Sequence, residues 1–188
     1  LGKVYGYTDR FTELKECLLS NTFYVVPSIR YGKNQKNNLD IQLVIDALEG
    51  LLDYQLATGD TERVRELRRG GEEYLLQRGL FRRLSTGAPF YERAFSLAHP
   101  RRWVYNALAA ADYFRAAGLA DGTAPDPRMA DAIDEIRSQQ QPDGRWLQGH
   151  RLTGAVWFHV DAPTGEPSKW VTFQAVRVLD WWDAHHGW

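Results

Sequence analysis

The chain has 188 residues, 44% of them hydrophobic and 25% charged, and a formal net charge of −1. That is the make-up of one ordinary globular domain with enough length to bury a core, and it excludes the basic excess that a nucleic-acid footprint needs. No apolar run approaches the roughly 18 residues of a membrane span, and the single cysteine, Cys17, excludes an internal disulfide and fits a reducing, cytoplasmic compartment.

Residues 1–38 form an irregular N-terminal segment by pattern. Phe11, Leu14, Leu18 and Leu19 share one face of a short predicted helix from Thr8 to Ser20, with Thr8 or Asp9 as its cap. Cys17 sits in that stretch and reads as a buried thiol, because a reactive cysteine needs an electropositive, accessible setting. Pro27 interrupts the β-branched run that follows, and Tyr31 to Asn38 is a polar loop.

Residues 39–188 carry the helical signal. Ile41, Val44, Ile45, Leu48, Leu51, Leu52 and Leu56 recur at three- and four-residue spacing, so one apolar stripe is predicted, capped by Asp40 and stopped at Thr58-Gly59-Asp60. A second helix is predicted from Thr61 to about Arg78. Val64, Leu67, Gly71, Tyr74 and Leu75 would face inward, and Arg63, Arg65, Glu66, Arg68, Arg69, Glu72 and Glu73 outward. Leu80 to His99 is a connection. A third helix spans about Arg101 to Ala117, with Trp103, Leu108, Ala111 and Phe114 apolar. Pro127 opens a fourth that runs to about Gln140. Leu147 to Ser168 is a long connection with an extended stretch at Ala155 to Val160. A fifth helix runs from Ser168 to about Ala184, with Val171, Ala175, Val178, Leu179 and Trp182 on one face. The predicted class is all-α.

An internal repeat supports that class. Ala47 to Tyr54, Ala107 to Phe114 and Ala175 to Trp182 share a small residue, an aliphatic, then Asp and an aromatic. Each would begin a helix, a turn and a returning helix, and one such hairpin needs its neighbours to cover its inner face. The third unit lacks a returning helix.

The run Gln141-Pro-Asp-Gly-Arg-Trp146 closes the fourth helix. Its Gln at a helix end, its turning Gly144 and a Trp146 that packs back make a clasp between helices, with Asp143 in the turn. It resembles the QW repeat of squalene and oxidosqualene cyclases and their protein prenyltransferase relatives. With Pro167 to Trp182 it is similar to the terminal repeats of bacterial squalene-cyclase-like proteins, and the resemblance covers about Leu43 to Trp182. It implies an α/α-toroid of antiparallel helical hairpins around a cavity that takes isoprenoid chains. Two departures stand against a full match. The five or six helices counted here make only an incomplete ring, and neither the Asp-x-Asp-Asp acid motif of the cyclases nor the prenyltransferase zinc set is present.

Other candidates are weaker. Asp131, Asp134 and Glu135 share a helical face that could hold a cation or simply meet solvent. Arg78, Arg82, Arg83, Arg93, Arg101 and Arg102 could gather at a phosphate or lie scattered on the surface. His185 and His186 stand at a chain end. His150 and His159 flank the long connection and are the titratable side chains best placed for a chemical role. No metal site, cofactor or catalytic residue is assigned, and whether the chain is an enzyme stays open.

Two functions fit these residues. One is a terpene-cyclase-like domain that binds or transforms an apolar, isoprenoid-like small molecule. Trp103, Tyr105, Trp157, Phe158, His159 and Trp170 would be its ligand-binding residues, since aromatic faces suit apolar chains and carbocations. The other is a non-catalytic helical-repeat module for protein interaction or self-assembly. Trp181, Trp182 and Trp188, at the edge without a returning helix, would be covered either by a second copy in a homodimer or by residues 1–38 folding back.

Overall fold

The computed structural model describes residues 36–59, 62–101, 104–151, 154 and 156–186. Cys17 and the expected helix from Thr8 to Ser20 lie outside them, as do Trp103, Trp188 and Arg102. Five α-helices dominate: α1 (Lys36–Thr58), α2 (Glu62–Leu76), α3 (Ala107–Asp121), α4 (Ala130–Ser138) and α5 (Lys169–His186). The only ladder among the described residues joins two-residue strands, β1 (Trp146–Leu147) and β2 (Pro167–Ser168). The described residues are therefore mostly helical, consistent with the all-α class. Among the described residues no helix is long and apolar enough to cross a membrane. The chain divides into two compact units, Leu1–Glu73 and Tyr74–Trp188.

In the first unit α1 buries Ile41, Val44, Ile45, Leu48, Leu51 and Leu52. The helix starts at Lys36, so Asp40 lies within it and not at its start. Leu56 was expected on the stripe but stands 64% exposed. Gln55 takes the buried side instead, because it has a polar partner there: Arg68 donates to its Oε1 at 2.5 Å. Arg68 itself corrects the outward assignment, being only 1% exposed. It follows Val64 by four residues and precedes Gly71 and Leu75, so the helical period places it on the apolar side. Burial of its charge is tolerable because Glu72 pairs with it at 3.0 Å.

In the second unit, the stretch read as a connection from Leu80 to His99 is core. Leu80, Phe81, Phe90, Ala94, Leu97 and Ala98 are buried. Turns hold them: Phe90 N–H donates to Phe81 O at 2.9 Å, and Ala107 N–H to Ala94 O at 2.7 Å. Tyr105 is buried beside Phe90, ring centroids 5.2 Å apart, and its hydroxyl donates to Leu80 O at 2.5 Å. Burial pushes that phenol far above its usual range.

The third helix starts later than its apolar pattern suggested. Asn106, extended at φ −142°, caps α3 by accepting from Ala109 N at 2.8 Å. Gly122 ends it in the left-handed region, at φ 66°. The fourth begins as a 3-10 turn at Pro127–Met129, capped by Asp126, before α4. α5 is capped by Ser168, whose Oγ accepts from Val171 N at 2.9 Å.

Helices α3, α4 and α5 pack on one another. Gly118 permits the α3–α5 contact, since a Cβ there would lie 2.9 Å from Trp181 Cζ2. Asp112 accepts from Arg115 at 2.8 Å and also pairs with Arg177 of α5. Arg137 of α4 grips Asp183 of α5 with two hydrogen bonds, at 2.6 and 3.2 Å. Trp181 and Trp182 are buried, so they are not the open edge that the sequence suggested. The chain covers them itself, Trp181 against Gly118 and Trp182 in a stack with His186 at 4.1 Å.

Candidate binding site

The site begins at the turn after α4. Gly144 has φ +82°, a conformation that costs a side chain strain. Gln141 N–H donates to Arg145 O and Gly144 N–H to Gln141 O, both at 2.8 Å. The Gln141 side chain donates to Gln139 O at 2.9 Å. Asp143 accepts from Arg145 N–H at 3.0 Å and from its guanidinium at 2.9 Å, which holds the carboxyl below its usual range. Trp146 then enters the core, 1% exposed. Its indole N–H donates to Ile136 O of α4 at 2.7 Å, and its main-chain N–H to Thr172 Oγ1 of α5 at 3.0 Å. One residue thus ties two helices.

The next residues carry this order outward. Trp146 pairs with Ser168 and Leu147 with Pro167 in the short antiparallel ladder. Gln148 is buried with all its polar groups satisfied. Its N–H donates to Glu166 O at 2.9 Å and its C=O accepts from Gly165 N at 2.7 Å. Its side-chain amide clasps the main chain of His99, accepting from N at 3.0 Å and donating to O at 2.7 Å. Gly149 N–H donates to Leu97 O at 2.6 Å. A Cβ on Gly149 would come within 2.8 Å of that same oxygen, so only glycine allows the approach. The result delivers His150 to Ser96: Nδ1 and Oγ share a hydrogen bond at 2.9 Å.

The far wall is built from the long connection. Asp161 Oδ2 accepts from Ser168 Oγ, its Oδ1 from Ala162 N at 2.8 Å, and its main-chain oxygen from Arg151 at 2.6 Å. Between these walls lies a cavity of about 40 Å³, lined by His99, Pro100, Gln148, His150, Arg151, Val156, Phe158, His159, Val160 and Asp161. On this measure a water needs roughly 10–15 Å³, so the space has room for a small group. His150 Nε2 is buried and has no hydrogen-bond partner. Burial, aided by the charge of Arg93, holds the His150 imidazole below its ordinary pKa against the Ser96 bond. His99 is lowered by burial, with Asp161 opposing. Neutral imidazoles that can each gain a proton therefore face the cavity.

An aromatic surface borders it. Trp157 is 101% and Phe158 73% exposed. On α5, Trp170 and Phe173 are 39% and 53% exposed, and Arg177 lies 4.9 Å from the Phe173 ring centre. His99 joins the two parts. It stacks on Trp170 at 5.2 Å and shares the cavity wall with Phe158.

The predicted ligand-binding residues separate accordingly. Phe158 and His159 line the cavity, and Trp170 touches it through His99. Trp157 stands in solvent, and Tyr105 is sealed in the core against Leu80. The described aromatics therefore do not converge on one enclosed space. Among the described residues no group of three or more His, Cys, Asp or Glu could hold a metal ion. Asp131 pairs with Arg82 at 2.8 Å. Arg78 bonds Tyr74 O and lies over the Tyr74 ring, and Arg83 donates to Phe90 O. His185 and His186 face back along α5 to Trp181 O and Trp182 O. His99, Gln148, Arg151 and Asp161 were not foreseen. They belong to no shared motif, and of the cavity-lining residues only His150, Phe158 and His159 stood out in the sequence.

No family model, curated protein or solved structure matches the chain.

Proposed function

We propose that this chain is a non-catalytic helical-repeat module that binds a segment of another protein through the aromatic surface beside the cavity. The observation that carries this reading is the exposure of Trp157, Phe158, Trp170 and Phe173, with His99 stacked on Trp170 and sharing a cavity wall with Phe158. Large aromatics are costly in water and are the residues most enriched at the centre of interfaces. The described aromatics do not converge on one enclosed space, which favours the module over the ligand-transforming domain. The hairpin-repeat, toroid-like arrangement belongs to the same reading, supported by the recurrent Asp–aromatic helices and by the packing of α3 on α4 and α5.

The test is selection of binders from a displayed random-peptide library on the purified chain. Binders whose affinity falls at least about tenfold, the effect of losing roughly 1.4 kcal/mol, in a Trp157→Ala/Phe158→Ala double variant support the reading. Binders indifferent to that change refute it. So does saturable quenching of tryptophan fluorescence by farnesol with no peptide binding, which would restore the isoprenoid ligand. Sedimentation of the chain alone shows whether the occupant is a second copy.

A further inference from the structure

We infer that the cavity beside the aromatic surface receives a carboxylate, carried on an acidic side chain of the bound protein segment between apolar neighbours. This rests on the interaction reading above and adds to it the chemistry of the anchor.

The argument starts from Arg151. Its guanidinium makes one hydrogen bond, to the main-chain oxygen of Asp161, and no ion pair among the described residues. It forms no ion pair with the Asp161 carboxylate on the same cavity wall, which accepts from Ser168 on one oxygen and from Ala162 N–H on the other. A guanidinium has five N–H donors in a planar fork, so most of this one's capacity is unspent, and carboxylate is the group that matches the fork. The second group is His150, whose Nε2 is a donor in the tautomer in which Ser96 Oγ donates to Nδ1. That Nε2 is buried without a hydrogen-bond partner, and the residue lines the cavity. Buried polar atoms are nearly always satisfied, so an unsatisfied one on a cavity-lining residue is a place to look for a ligand. Gln148 is not available, since its amide is spent on His99.

Size and surroundings then narrow the class. The cavity has room for a carboxylate. Val156, Phe158 and Val160 make the wall apolar on one side, so a free anion would leave that side without contacts. A carboxylate on a chain with apolar flanks satisfies the cation, the imidazole and the aromatic rim together.

The experiment uses the full chain and two synthetic peptide libraries, identical except for a central glutamate or glutamine between apolar residues. Affinities are measured by fluorescence anisotropy against the native chain and against Arg151→Gln. The native chain is expected to prefer glutamate by at least about tenfold, as for a hydrogen bond to a charged group. Arg151→Gln should erase that preference and leave the affinity for the glutamine peptides unchanged. Equal affinity of the native chain for both libraries overturns the inference and leaves the interaction reading standing. A preference that survives Arg151→Gln also overturns it. Binding to neither library overturns the interaction reading itself and this inference with it. A matching thermal midpoint for Arg151→Gln shows that the variant is folded.

Discussion

Removing the indole of Trp146 is the sharpest test of how the α4–α5 packing is held. The side chain is 1% exposed and bonds Ile136 O at 2.7 Å. Truncation of a buried Trp to Ala costs about 3–5 kcal/mol, the upper part where the surroundings cannot collapse. The lost hydrogen bond adds only its net worth of about 1 kcal/mol. Ile136 O is not orphaned, because Gln139 N–H still reaches it at 3.3 Å. Trp146→Ala should therefore lower stability by about 4–5 kcal/mol. At about 2–4 °C per kcal/mol for a chain of this size, that is a loss of roughly 8–20 °C in Tm. Trp146→Phe keeps most of the packed ring and loses the N–H, so it should cost about 1–2 kcal/mol. Urea and thermal unfolding followed by far-UV circular dichroism would measure both. An alanine variant within about 0.5 kcal/mol of the parent, the scatter of an ordinary surface change, would refute the packing argument. A phenylalanine variant as damaged as the alanine one would show that the hydrogen bond, not the ring, does most of the work.

Two further outcomes follow from the same contacts. Gly118→Ala should destabilise by about 1–3 kcal/mol although alanine is the better helix former by about 1 kcal/mol. The new Cβ would meet Trp181 at 2.9 Å and the main-chain oxygen of Thr123 at 3.0 Å, and a raised Tm would show that this contact has slack. Stability should also fall as pH drops from 7.5 towards 5.5. His99 and His150 are held below the ordinary imidazole pKa of about 6.5, so the unfolded chain takes up protons first and the slope of stability with pH is positive in that window. His150→Gln should flatten the fall in urea midpoint, and a midpoint that rises with acid would contradict the burial of these rings.

The sequence by itself determined the all-α class and most of the helices. Periodicity is a local property, and stripes such as Ile41 to Leu52 or Val171 to Trp182 can be buried only by a helix. The ends were less legible. Asn106 rather than Arg101 starts α3, because a cap depends on one side chain reaching one N–H, a geometry that spacing does not encode. Arg68 was misplaced for a related reason. A charged residue on an apolar stripe is buried only if partners arrive, and Gln55 comes from another helix. Tertiary structure alone decided the rest. It made core of Leu80 to Ala98, where the turns show no period, and it covered Trp181 and Trp182 that looked exposed. It also assembled the candidate site. Ser96 and His99 meet His150, Arg151 and Asp161 only because Gln148 and Gly149 dock against the main chain at Leu97 and His99. Those contacts are hydrogen bonds to backbone atoms, which every residue possesses, so nothing in the order of side chains could announce them.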